Sequence, residues 1–205
     1  MPFDYAVEAA HYDATRGGEE RAEAAAAAIT GLVPVLGTVL DVGGGTGIVS
    51  KRIEARGHRV AVSDLILEML RPAKARLPGA AACMDASRLA VADASIDTVT
   101  MVWLLHLVPN VEPMIAEASR VLRPGGHLVT TVGKAAANGE VRENPSDARD
   151  IVTGLAAEHG LVPAGETSFV GVGQRGEPVY ALLSFVRVPR QRLRTRSSAA
   201  TGRPS

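Results

Sequence analysis

Cysteine is almost missing from this chain: Cys83 stands alone, so no internal disulfide can form. Between Ala82 and Met84 it reads as a small core residue rather than a nucleophile. No apolar run approaches the ~20 residues needed to span a membrane. The N-terminus lacks a basic-then-apolar leader pattern, so a cytoplasmic location is expected. Paired histidine or His-Cys metal spacing is also missing, and no metal is expected. Net charge is zero, but the balance is uneven: six arginines and no acids follow from Arg187 onward. The remaining 16 basic residues face 22 acidic ones, leaving the body near −6. Such a body lacks the basic face of a nucleic-acid binder, so no nucleic-acid or membrane partner is expected.

What remains is ordinary material for a globular fold: 205 residues, 46% hydrophobic and 21% charged. That is enough for one domain with its own core. The reading is a domain over 1–188 and a basic, disordered tail over 189–205, whose Ser, Ala, Gly and Pro cannot form a core.

Residues 19–32 carry strong helix formers and stop before Pro34. Strand-like and helical runs then alternate. Strands are expected over 39–42, 59–63, 81–84, 97–104 and 126–132, and helices over 47–56, 66–76 (disturbed by Pro72), 111–121 and 146–160. Strands at 166–172 and 179–188 flank a Gly- and Pro-containing loop and read as an antiparallel hairpin. The fold class is therefore α/β: a doubly wound, mostly parallel seven-stranded sheet with an antiparallel C-terminal hairpin. In such sheets ligands bind beyond the carboxyl ends of the strands.

The segment Val39-Leu-Asp-Val-Gly-Gly-Gly-Thr-Gly47 occupies one such end. Its alternate glycines, Gly43, Gly45 and Gly47, permit a sharp turn and close approach of backbone to ligand. A dinucleotide loop has a small third residue five positions after its first glycine. Here that position is Ile48, which disfavours nicotinamide and flavin nucleotides. Asp64, closing the second strand, can accept hydrogen bonds from ribose hydroxyls. Asp85 with Ala86, after the third strand, can meet an adenine amino group. Each acid could instead cap a helix, but both lie at strand ends beside the glycine loop, which favours a nucleoside.

These segments, with Met69-Leu70, Met84-Asp85-Ala86 and Arg120-Val-Leu-Arg-Pro-Gly-Gly126, resemble in order and spacing the class I S-adenosylmethionine-dependent methyltransferases. Small-molecule enzymes of the ubiquinone-biosynthesis type and their secondary-metabolite relatives are the nearest likeness. The resemblance covers roughly residues 11–187 and implies the Rossmann-like methyltransferase fold with S-adenosyl-L-methionine as cofactor. It gives Asp41 and the loop Gly43, Gly44, Gly45, Gly47 to the methionine part and its ammonium, Asp64 to the ribose, and Asp85-Ala86 to the adenine. Leu65 would pack on the adenine face and Trp103 would lie near the sulfonium. Tyr12 or Arg16, in an entrance segment, would reach the methionine carboxylate. The family's usual Ser two residues after the ribose acid is Ile66 here. The link Lys134–Pro145 is shorter than the substrate-covering insertion of many relatives, so the acceptor pocket is small, open or completed by a partner subunit or second copy.

His106, after the fourth strand, is the candidate general base, its free pKa lying near neutrality; packing at the pocket rim is the alternative. His58 and His159 read as surface. Arg120 and Arg123 read as supports of a helix end and turn, and Asp93 and Asp97 as structural. The expected function is methyl transfer to O, N or C of a small-molecule acceptor. The alternatives are a cofactor-binding subunit that stabilises a partner and a non-methylating enzyme such as a cyclase.

Overall fold

Along the central strands apolar side chains alternate between two faces, and each face receives its own helices. In the computed structural model, which describes residues 9, 11–33, 35–172, 174 and 176–189, Leu40, Val42, Val99, Met101 and Leu128 meet one helical layer. Val39, Val60 and Val129 meet the other. This is the period-2 pattern of strands buried on both sides. The expected 189–205 tail lies, but for Pro189, outside the described residues.

The elements are α1 (Tyr12–Thr15), α2 (Gly18–Gly31), β1 (Thr38–Val42), α3 (Ile48–Glu54), β2 (Arg59–Asp64), α4 (Leu67–Arg76), β3 (Ala81–Cys83) and β4 (Ile96–Met101). A 3₁₀ turn (Leu105–Leu107), α5 (Glu112–Val121), β5 (Leu122–Val132), α6 (Lys134–Ala137), α7 (Arg149–Glu158), β6 (Leu161–Val170) and β7 (Val179–Arg187) complete them. The seven strands run in the order β3-β2-β1-β4-β5-β7-β6. The first five pair in parallel, while β7 runs antiparallel to both β5 and β6. This is the expected mostly parallel sheet with a C-terminal hairpin. Its order reverses between β1 and β4, the place where a doubly wound sheet opens a crevice.

Helices α5 and α7 cover the Leu40 face through Ile115, Ala118, Val152 and Ala156, and α2 and α3 cover the Val39 face through Ala25, Ala26, Ile29 and Ile53. Pro72 sits inside α4 without ending it. Leu70 and Ala73 of that helix are fully buried against Val62, and this packing outweighs the lost backbone hydrogen bond.

Four expectations are corrected. Cys83 is exposed, because β3 is a short edge strand. His58 is 5% exposed rather than a surface residue, and burial lowers its pKa. β4 ends at Met101 instead of reaching Leu104, since Trp103 adopts φ +55°. β6 starts at Leu161, five residues early, through Pro163 and a register shift that an edge strand tolerates. At the amino end of β4, Asp97 accepts from the Thr38 N–H (2.8 Å), the Thr38 hydroxyl and Arg123, and Arg120 pairs with Glu117 and Asp93. These five charged residues are structural supports, and none of them lines the crevice.

Candidate functional site

The carboxyl ends of β1, β2 and β4 open into a cleft of about 300 Å³, at the small end of ligand cavities. Its floor is the glycine loop. Gly43, Gly45 and Gly47 have φ of +69°, +55° and +70°, the left-handed conformation that glycine adopts at little cost. At Gly44 space is the constraint: a Cβ would lie 2.6 Å from Asp41 Oδ2 and 2.5 Å from Val62 Cγ2. The Gly44 N–H donates to the Ser63 carbonyl at 3.0 Å, pinning the loop to β2. Gly47 does not line the cleft; it starts α3 and packs on Ala73.

Asp41 is 4% exposed. Its Oδ2 accepts from the Ser50 hydroxyl at 2.5 Å and its Oδ1 from the Thr100 hydroxyl at 2.7 Å. Burial pushes its pKa up, the two hydroxyls oppose that, and nearby Asp64 adds to it. One carboxylate thus clamps β1, α3 and β4 together beneath the loop.

Asp64 accepts the Gly45 N–H on Oδ2 at 3.0 Å and the Ile66 N–H on Oδ1 at 2.9 Å. The second bond fixes the turn into α4 by holding the N–H of its N-cap residue, Ile66, which makes no side-chain capping bond of its own. Burial raises the Asp64 pKa against the pull of these backbone donors. Beside it Leu65, 68% exposed, forms an apolar shelf on the cleft wall. Asp85 and Ala86 line the same wall; Asp85 Oδ1 accepts from the Ser87 N–H and hydroxyl, which lowers its pKa.

Trp103 closes the opposite end. Its backbone N–H donates to Thr131 Oγ1 at 2.7 Å, holding a strained backbone turn at the end of β4. The indole packs edge-on against Phe169 and Tyr180, with ring centroids 5.5 and 5.3 Å away. Tyr12 also reaches the cleft, whereas Arg16, one turn on, stacks over the Tyr12 ring at 5.8 Å and does not line it. Asp13 ties this entrance segment down by accepting from the Thr46 hydroxyl (2.6 Å) and Arg76 (2.7 Å).

The structure does not bring His106 into the cleft. It sits half-buried in the 3₁₀ turn, where burial, then Lys134, then Arg142 depress its pKa to about 3. A site residue missing from the sequence reading is Arg21. It lines the cleft at 6% exposure, its guanidinium 4.1 Å from the Trp103 ring centroid. A signal existed: Arg21 lies four and eight residues before the buried Ala25 and Ile29, on the helix face that packs inward. Met69, Met84, Leu104 and Met114 add apolar walls, of which Leu104 and Met114 lie outside the motif segments.

The described residues contain no cluster of three His, Cys, Asp or Glu side chains able to hold a metal and no helix long and apolar enough to cross a membrane. The methyltransferase domain family matches residues 40–130, from β1 into β5. An uncharacterised methyltransferase of Mycobacterium bovis is 41% identical over 91 residues, 44% of this chain and 37% of that protein. Demethylmenaquinone methyltransferase of Thermobifida fusca is 38% identical over 97 residues, 44% of this chain and 41% of the relative. The chain thus matches about two fifths of the length of these relatives. A SAM-dependent methyltransferase from Thermotoga maritima shares the fold, with a TM-score of 0.70 at 17% identity over 89% of this chain and 98% of that one. Sheet order, glycine loop and matched segment agree: residues 40–130 are similar to the methyltransferase domain family, and the sheet has the fold of the solved methyltransferase.

Proposed function

We propose that the chain transfers a methyl group from S-adenosylmethionine to O, N or C of a small metabolite. The observation that carries this reading is the join between Gly45 and Asp64, which sets a ribose-accepting carboxylate against a glycine loop in a cleft lined by three carboxylates, Asp41, Asp64 and Asp85. A dinucleotide would bring an anionic diphosphate toward those acids, whereas a sulfonium nucleoside brings positive charge.

The residues fit the cofactor. Leu65 offers an exposed apolar face for adenine, Asp85-Ala86 the rim beside it, and Asp64 the diol acceptor. Gly43, Gly44 and Gly45 leave room for the methionine chain, and Tyr12, with Arg16 behind it, faces its carboxylate end. Trp103 would wall the sulfonium end. When bound, the sulfonium supplies an electrophilic methyl carbon. The chain's part is to hold the acceptor in line and keep water away, and proximity of this kind supplies much of the rate. We assign no proton transfer to His106, because a group with a pKa near 3 is a poor base at neutral pH.

The test is incubation with methyl-labelled S-adenosylmethionine and a metabolite extract, followed by mass spectrometry. A labelled small molecule whose formation ceases in Asp64→Ala supports the reading. Binding of the cofactor with no labelled product from any extract contradicts methyl transfer while leaving the binding site in place.

A further inference from the structure

Positive charge gathers at the Trp103 end of the cleft, with Glu140 the one acid set against Lys134. Arg21 is more than nine-tenths buried and lies on the indole of Trp103. Among the described residues no carboxylate comes within ion-pair distance of it. Of the acids of its own helix, Glu19 pairs with Arg52 and Glu23 with Arg56, Glu20 makes no ion pair with Arg21, and Asp13 is held by Arg76. Lys134 starts α6 directly after β5, its backbone N–H fixed to Asp147 Oδ2 at 2.8 Å. The bond from the Trp103 backbone N–H to Thr131 joins the ends of β4 and β5, and Lys134 follows the end of β5 just outside the residues that line the cleft. Burial lowers the Lys134 pKa; Arg16, Arg142 and Arg21 repel it further, and Glu140 is the one acid acting in the other direction. The indole N–H of Trp103 is buried with no partner among the described residues.

Buried cations are ordinarily paired. The cofactor cannot pair them all: it carries one carboxylate against an ammonium and a sulfonium, so its arrival adds net positive charge. Arg21 meets the Tyr12 hydroxyl and the Trp103 face but no carboxylate among the described residues, and the acceptor is the molecule that shares this end of the cleft.

Resting on the methyltransferase reading above, we propose that the acceptor is an anion, a small molecule bearing a carboxylate that is received by Lys134 and Arg21 beside Trp103. Arg21 offers a planar donor fork suited to a carboxylate and Lys134 a point charge. Such an anchor fixes the acceptor's orientation and offsets the cofactor's charge.

Trp103 is the one tryptophan of the chain and reports on this corner directly. The experiment titrates benzoate, its neutral isostere benzamide, and inorganic phosphate into the S-adenosylhomocysteine complex while following Trp103 fluorescence. Saturable binding of benzoate with benzamide silent is expected. Lys134→Met, which keeps the apolar stem, should weaken benzoate about tenfold or more, the scale of one charged hydrogen bond, and leave S-adenosylhomocysteine affinity within about twofold. Equal binding of benzamide, or an unchanged benzoate affinity in Lys134→Met, overturns the proposal. So does an equal fall in S-adenosylhomocysteine affinity, which would give Lys134 to the cofactor's own carboxylate. Phosphate binding without benzoate binding overturns the carboxylate assignment. Failure of S-adenosylhomocysteine itself to bind overturns the methyltransferase reading and this one with it, whereas its binding without charge-selective benzoate binding overturns this one alone.

Discussion

Replacing Asp64 by Asn separates the two tasks that its carboxylate performs. Each oxygen accepts a backbone N–H, from Gly45 at 3.0 Å and from Ile66 at 2.9 Å. Asn retains one acceptor and sets an NH₂ against the other N–H, so one charged hydrogen bond becomes a clash of donors. Hydrogen bonds to charged groups contribute ~1.5–3 kcal/mol. Against that loss, burial disfavours the native charge and raises the Asp64 pKa, so removing the charge recovers part of the desolvation cost. A net stability loss of about 1–2 kcal/mol is expected from this difference, small enough for the variant to fold. Cofactor binding has no such offset, because the ribose hydroxyls lose a charged acceptor outright. S-adenosylhomocysteine should bind ten- to hundredfold more weakly, roughly 1.5–3 kcal/mol, and adenosine alone should lose a similar factor, since the loss lies at the ribose. Calorimetry with both ligands gives the two numbers, and thermal unfolding gives the third. A well-folded Asp64→Asn with wild-type affinity for both ligands would refute the reasoning. Acid should separate the same two tasks in the native protein. A carboxylate whose folded pKa is raised binds its proton more tightly when folded, so this group favours folding as pH falls through that pKa, while ligand affinity drops as the acceptor charge is lost.

Gly44→Ala should destabilise by about 1–3 kcal/mol, because its Cβ would meet Asp41 Oδ2 at 2.6 Å and Val62 Cγ2 at 2.5 Å; unfolding and S-adenosylhomocysteine binding should both suffer, and an unaffected loop would contradict the packing described. Asp97→Ala should cost ~1–3 kcal/mol by leaving the Thr38 N–H without its acceptor, yet keep ligand affinity, since it lies at the far end of the sheet. The Asp97 pKa is lowered, so its stabilisation is present above the unfolded carboxylate pKa and lost as pH falls through the lower folded value; the variant's melting curve should be flatter below about pH 4. His106, held near pKa 3, binds a proton more readily when unfolded and therefore weakens the fold as pH drops from about 6.5 toward 3. His106→Gln should reduce that acid sensitivity, as melting temperatures across the range would show.

Strand and helix order was legible because the chain alternates apolar runs of period two with helical stretches, and the carboxyl-edge rule singled out Asp41, Asp64, Asp85 and Trp103, all of which line the cleft. Local pattern was a weaker guide to burial. Cys83 lies in an apolar context, but an edge position exposes it; His58 lies in a polar one, but tertiary packing covers it. Both outcomes depend on which strand has a neighbour, a property of topology rather than of flanking residues. Pro163 and Gly165 carry turn chemistry, and they entered β6 because nothing pairs with its outer edge. Arg21 escaped because an arginine in an alanine-rich helix reads as solvated, and its burial follows from where α2 docks. His106 was selected by position after β4, but the turn forced by Trp103 carries it off the cleft wall.

The most direct test of the central claim is a pair of calorimetric titrations of the purified chain, one with S-adenosylhomocysteine and one with NAD⁺. The glycine loop ending in Ile48, the Gly45–Asp64 bond and the acid-lined cleft predict saturable one-to-one binding of S-adenosylhomocysteine and no measurable heat with NAD⁺. Saturable binding of NAD⁺ with none of S-adenosylhomocysteine would contradict the account.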